Sequence, residues 1–182
     1  MDPTSDEELM LRIAKGDERA FRELAPRYAA RAIGLARRIT GNEADAEEIV
    51  QEAFLRVWVN APRWRPAAAF RTWFYRIVFN LSLNRRRRAS FLPLEEAGDP
   101  PDPAALAGER MERDERDREI AAAIAALPER QRAAVVLTYG EELTNAEAAE
   151  VLGTSVSGVE SLLVRAKRML RDRLGSSFGE DE

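Results

Sequence analysis

Three carboxylates, Asp45, Glu48 and Glu52, recur at helical spacing with Gln51 beside them. Paired carboxylates on one helix face can serve general acid–base chemistry or hold a hard cation. Nothing else in the chain completes such a site. With no Cys and no His, there is no thiol nucleophile, no imidazole base and no Cys/His zinc set. No catalytic residue, metal ligand or cofactor is therefore assigned. The acids read as a solvated face or a surface for protein docking. A second group has the opposite charge. Between Ala61 and Arg88 the chain carries eight arginines and no acid, ending in Arg85, Arg86, Arg87 and Arg88. Guanidinium groups in such numbers neutralise phosphates, which gives affinity that is independent of sequence and sensitive to salt. Six of the 13 aromatic residues share this window: Trp64, Phe70, Trp73, Phe74, Tyr75 and Phe79. Arginine interleaved with aromatic rings suits single-stranded nucleic acid. Phe70, Trp73, Phe74 and Ile77 fall at helical spacing and are expected in a core, which leaves Trp64, in a loop, as the candidate for an exposed ring.

The third group lies near the carboxyl terminus. Thr144 with Glu147 forms a capping box, Gly153 supplies a left-handed turn, and Ser155 caps a second, longer helix. This is a helix-turn-helix, whose second helix enters the DNA major groove. Val156, Val159, Leu163, Ala166 and Leu170 are expected to face inward. Ser157, Gly158, Glu160, Ser161, Arg165 and Arg168 then face outward, the first of them near the helix start where base-reading side chains sit.

The elements that position these groups are all helical. Ser5 and Glu8 make a capping box for a helix over 6–15 that stops at Gly16. Asp17 caps a second helix with Phe21, Leu24, Tyr28, Ile33, Leu35 and Ile39 on its apolar face, and Pro26 inside it. Thr40-Gly41-Asn42 breaks the chain. A helix over 43–59 presents Ala46, Ile49, Val50, Ala53, Phe54 and Val57 as one stripe. Residues 60–66 read as a loop, Pro66 opens a helix running to about Arg87, and further helices are expected over 114–127 and 129–139. No strand pattern and no internal repeat is present.

Charge and composition sharpen the division. The net charge of the 182 residues is only −4, but the distribution is uneven. The segment after the arginine block, Ala89–Glu119, has ten acids against four bases and four prolines, the texture of a mobile acidic linker. The acidic amino terminus lacks the apolar run of a signal peptide. No stretch approaches the ~20 apolar residues of a membrane span. A soluble cytoplasmic protein with no membrane insertion of its own is expected.

The segments DAEEIVQEAFLRVW (Asp45–Trp58) and FRTWFYRIVFNLSLNRRRR (Phe70–Arg88) resemble domain two of bacterial RNA polymerase sigma factors. Leu127–Arg171 resembles their domain four. With no domain between them, the chain is similar to the compact extracytoplasmic-function (ECF) type. The resemblance implies an all-α fold of two small bundles: domain two over 5–88, an acidic proline-rich linker over 89–113, and domain four over 114–174. It implies that Asp45, Glu48, Gln51 and Glu52 dock on the β′ clamp helices of core RNA polymerase. The minus-ten element would be recognised, melted and held single-stranded by Asn60, Arg63, Trp64, Arg65, Arg76, Asn80, Asn84 and Arg85–Arg88. An extruded base would find its pocket near 60–65. Ser155, Ser157, Gly158, Glu160, Ser161, Arg165 and Arg168 would meet the duplex minus-thirty-five element, with the polymerase β flap on the other side of domain four. The linker would run near the RNA exit path, and an anti-sigma factor would control the protein. Glu160 stands where the family often has Lys, Leu162 where it often has Arg, and Asn84 where Asp is common. The competing reading is a helix-turn-helix regulator that acts without polymerase; it leaves the arginine block unexplained.

Overall fold

A computed structural model describes residues 4–66, 69–91 and 111–175. All regular structure among them is helical: α1 (Asp6–Ile13), α2 (Glu18–Thr40), α3 (Glu43–Asn60), a short 3-10 turn (Ala61–Arg63), α4 (Phe70–Phe91), α5 (Met111–Ala125), α6 (Glu129–Val135), a π-helical turn (Val136–Gly140), α7 (Asn145–Leu152) and α8 (Val156–Leu174).

The helix starts follow local chemistry. The Glu8 amide donates to Ser5 Oγ and the Ser5 amide to Glu8 Oε2, both at 3.2 Å. Asp17 accepts from the amides of Arg19 and Ala20 at 2.9 and 3.1 Å. These bonds satisfy amides that have no partner inside the helix. Several boundaries differ from the sequence expectation. The first helix ends at Ile13. Asn60 is the last residue of α3, so the expected loop starts one residue later. The fourth helix starts at Phe70, where the Phe70 amide donates to Glu7 Oε1 at 3.0 Å. A cap supplied from 63 residues away leaves no local signal. Finally, α4 continues through Phe91 and α5 opens at Met111. The rest of the expected linker, 92–110, lies outside the described residues. Pro26 does not divide α2, which is one helix of 23 residues.

Helices α1 to α4 form the amino-terminal module. Its centre is aromatic. Phe70 and Phe74 stack with ring centroids 5.7 Å apart, and Tyr28 meets them edge-on at 5.1 and 5.5 Å. Phe54 of α3 lies 4.8 Å from Phe74. The rings therefore join α2, α3 and α4. The Tyr28 hydroxyl donates to Asp6, and Arg27 pairs with the same carboxylate at 2.8 Å, which fastens α1 to α2. Helices α5 to α8 form the carboxyl-terminal module around Leu127, Leu137, Leu152, Val159, Leu163 and Ala166.

The two modules are in direct contact: α7 lies on α4, and α6 with the π turn lies on α2. The Tyr75 hydroxyl donates to Glu141 at 2.5 Å across this interface, with both residues buried. Arg132, also buried, donates from Nη1 to the carbonyls of Arg38 and Ile39 at 3.1 and 3.4 Å and from Nη2 to Leu127 at 2.9 Å. Arg86 donates to the same Ile39 carbonyl at 3.2 Å. Two cations thus satisfy the last carbonyls of α2, the negative end of its dipole. Burial, and secondarily Arg86, lowers the pKa of Arg132. The π turn and a left-handed Glu142 (φ 55°) direct the chain so that Glu141 meets Tyr75.

Burial raises the pKa of both Tyr28 and Tyr75, reinforced by hydrogen bonds to Asp6 and Glu141. A phenol kept neutral in the folded state contributes its stability fully below the unfolded pKa of about 10, and that contribution is lost as pH rises beyond it. Stability should therefore fall from about pH 10 upward. Tyr75→Phe should reduce that fall. At neutral pH it should cost about 1–3 kcal/mol, because Glu141 stays buried without its donor. Urea titrations of both proteins at about pH 7 and about pH 11 check this; a variant as stable as the parent would contradict it.

Candidate nucleic-acid interface

Helix α3 packs its apolar stripe inward, with Ala46, Ile49, Val50, Ala53 and Val57 buried and Phe54 against the core. That leaves Glu48, Gln51 and Glu52 exposed and Asp45 half-buried on the other side. The acids are not bare. Arg85 of α4 donates to Asp45 Oδ1 at 3.0 Å and to Glu48 Oε2 at 2.5 Å. Glu52 pairs with Arg56 at 2.6 Å, one turn along. Leu55 and Val59, 61% and 64% exposed, continue the same stripe. The sequence reading missed them. Their signal was their position, outside the apolar periodicity of the helix.

The end of α3, the 3-10 turn and α4 enclose an open cleft of about 480 Å³, lined by Arg56, Asn60, Arg63, Trp64, Arg65, Trp73 and Ile77. It gathers Asn60, Arg63, Trp64 and Arg65 from the expected minus-ten set, and adds Arg56, Trp73 and Ile77. One expectation is corrected here. Trp64 is not a projecting ring: it is 7% exposed and sits 6.4 Å from Trp73. The hydrophobic gain from burying a large indole outweighs its position in a connecting segment. The short 3-10 turn makes this possible, with the Trp64 amide donating to the carbonyls of Asn60 and Ala61 at 3.0 and 3.1 Å. Trp64 therefore walls the cleft. Arg63 and Arg65 are exposed, and no acid lines the cleft.

Arg76, Asn80, Asn84, Arg87 and Arg88 are exposed along α4, outside the cleft. The other arginines divide. Arg85 is held by α3, and its hydrogen bond to Glu48, aided by the charges of Asp45 and Glu48, raises its pKa against an opposing burial effect. Arg86 is engaged with the end of α2. Arg71 turns inward, with Nη2 buried and without a hydrogen-bond partner.

In the carboxyl-terminal module, Thr144 and Glu147 form the expected capping box. Gly153 adopts φ 60°, a left-handed conformation that glycine takes without steric cost. Arg130 donates to the Leu152 carbonyl at 2.9 Å and so closes the end of α7. Ser155 accepts from the Gly158 amide at 3.1 Å and lies 3.0 Å from the Ser157 hydroxyl. A Cβ at Gly158 would lie 2.4 Å from Thr154 Oγ1, so any larger residue there would force the Thr154 side chain to move. Ser157, Glu160, Ser161, Arg165 and Arg168 are exposed along one side of α8, while Gly158 is half-buried. Val159, Leu163 and Ala166 are buried, with Leu162, Met169 and Leu170 packed beside them. Val156, expected inward, is instead 43% exposed, because the first turn of α8 projects past the core. Val164 is 68% exposed. The Lys167 ammonium lies over the Tyr139 ring, 5.6 Å from its centroid.

Comparison with known proteins bears directly on this arrangement. The sigma-70 region 2 family model matches residues 24–91, and the sigma-70 region 4 model matches residues 117–170. The ECF RNA polymerase sigma factor SigW of Bacillus subtilis is 32% identical over 179 residues, covering 89% of this chain and 92% of the relative. The chain belongs to the ECF sigma factors. The solved structure of CnrH in complex with the cytosolic domain of CnrY superposes with a TM-score of 0.73 at 29% identity, covering 96% of this chain and 99% of that one. The sigma factor RpoE of Bartonella quintana, solved with the anti-sigma factor NepR, shares the fold at a TM-score of 0.61 and 18% identity, over 79% of this chain and 89% of that one. This sigma factor accordingly binds core RNA polymerase and directs initiation at promoters. No helix among the described residues is long and apolar enough to cross a membrane.

The division of the arginines has a measurable consequence. On the isolated sigma factor with a single-stranded oligonucleotide, Arg88→Ala should lower the salt slope of binding by about 0.7, the value for one phosphate contact. Arg85→Ala should lower it by less, because Asp45 and Glu48 already hold that guanidinium. Equal slopes for the two variants would contradict the division.

Proposed function

We propose that the exposed side of α3, with Asp45, Glu48, Gln51 and Glu52, docks on the β′ clamp helices of core polymerase, extended by Leu55 and Val59. The observation that carries the remaining assignment is the cleft between α3 and α4. It is walled by two indoles and Ile77, rimmed by Arg63 and Arg65, and free of acids. An unstacked base needs a hydrophobic slot and a positive rim for its phosphates. The cleft therefore receives a base extruded from the minus-ten element. Asn60 lines it. Arg76, Asn80, Asn84, Arg87 and Arg88 guide the strand along α4, and Arg85 and Arg86 join on leaving Asp45, Glu48 and the Ile39 carbonyl. Residues 5–88 would thus serve docking and melting, 89–113 would tether, and 114–174 would read the minus-thirty-five element through Ser155, Ser157, Gly158, Glu160, Ser161, Arg165 and Arg168, with the β flap behind.

The packed arrangement of the modules adds a condition. Elements about 25 base pairs apart are separated by about 85 Å of duplex, at about 3.4 Å per pair. With α7 lying on α4, one molecule cannot address both, so the modules part when promoter is engaged. An anti-sigma partner is the expected regulator. Because the modules already meet face to face, it would clamp the closed pair from outside. Chemistry belongs to the polymerase, and the sigma factor, acting in the cytoplasm, supplies binding energy and strand capture alone.

Glu52→Arg tests docking. Glu52 and Arg56 form a half-exposed pair of the kind worth little to folding, so the variant should fold normally. It should lose about tenfold or more in affinity for core polymerase and lose run-off transcription in proportion. Arg165→Ala with Arg168→Ala should leave core binding intact. It should weaken promoter binding by about 1–3 kcal/mol per base contact removed. Unchanged transcription in both variants would refute the assignment.

A further inference from the structure

Helix α8 carries an apolar side chain that its own fold does not use. Val159, Leu163 and Ala166 fill the inward side, and Leu162, Met169 and Leu170 pack at its margins. Val164 lies outside both sets at 68% exposure. A β-branched residue on an exposed helix surface slightly disfavours the helix, so folding gains nothing from it. It shares one stripe with Ser157, Glu160, Ser161 and Arg168 at intervals of three or four residues, and Arg165 is adjacent. Glu160, one turn earlier, is the acid on that stripe nearest the start of the helix.

In the major groove only one apolar group is offered, the thymine 5-methyl. A carboxylate there can only accept, so it pairs with the exocyclic amino group of cytosine and is repelled by the two acceptors, O6 and N7, of guanine. We propose that Val164 and Glu160 set the base preference of the upstream promoter element, Val164 by contact with a thymine methyl and Glu160 by accepting from the amino group of a cytosine at a neighbouring step. This rests on the placement of α8 in the major groove. The arginines beside the pair, Arg165 and Arg168, supply the attraction that lets an acid approach the phosphates at all.

The test uses holoenzyme and synthetic promoter duplexes in which each upstream thymine is replaced in turn by deoxyuridine, which deletes only the methyl. At one position the parent should lose about fourfold in affinity, the factor for burying one methyl group. Val164→Ala should bind the thymine duplex about fourfold more weakly and no longer distinguish it from its uracil counterpart. Selection from a duplex library should show cytosine at the neighbouring step for the parent. Glu160→Gln should move that preference toward adenine, which glutamine reads through N6 and N7. If no uracil replacement matters, or if Val164→Ala still senses the methyl, Val164 is not the reader. If Glu160→Gln selects the same base as the parent, Glu160 is not. If Arg165→Ala with Arg168→Ala leaves upstream binding intact, the placement of α8 itself fails and this inference with it.

Discussion

Phe74 lies where α2, α3 and α4 meet, and the remaining geometry follows from that packing. Its ring stacks on Phe70 and touches Tyr28 of α2 and Phe54 of α3. Rings of this size bury much of the apolar area available to a small module, and their shape fixes how the helices approach. With α4 held this way, Trp73 and Ile77 fall beside the end of α3 and form one side of the cleft. Arg85, eleven residues beyond Phe74, comes within reach of Asp45 and Glu48. Tyr75 points the other way, toward Glu141. One helix therefore serves the core, the cleft, the acidic side of α3 and the partner module.

Short-range chemistry was legible. The capping boxes at Ser5 and Thr144, the cap at Ser155, the turn at Gly153 and the buried stripe of α3 are all written within a few residues, and the structure has each of them. Long-range chemistry was not. The cap on α4 comes from Glu7, and Arg85 and Arg86 find partners 37 to 47 residues away. A run of four arginines looks uniform in sequence, yet the turn of the helix sends Arg85 to the acids of α3 and Arg86 to the end of α2. Trp64 was misread for a similar reason. Its position in a connecting segment suggested exposure, and its neighbour Trp73 is visible only once the chain folds. Val164 breaks the periodicity of its helix, but only the filled core shows that nothing covers it.

The contact between modules joins polar groups that are costly to leave buried and unpaired. Tyr75 with Glu141, and Arg132 with the carbonyls ending α2, are satisfied only when the modules meet. In water the same groups can be hydrated, so separation exchanges one set of hydrogen bonds for another and does not abandon them. An interface of this kind is specific and reversible, more so than one closed by apolar area alone. The π turn and left-handed Glu142 sit at this seam, and such irregular turns gather at functional sites. The proposed parting of the modules on a promoter calls for a seam that can open without unfolding either half.

The distance between the modules tests this account most directly. The chain has no cysteine, so Arg19→Cys on α2 and Glu150→Cys on α7, both exposed, offer two clean labelling positions. Energy transfer between the labels should report a single fixed distance in the free sigma factor, set by the packing of α7 on α4. It should report a longer one in holoenzyme bound to a promoter carrying both elements. An unchanged distance in the promoter complex, or the longer one already present in the free protein, would contradict it.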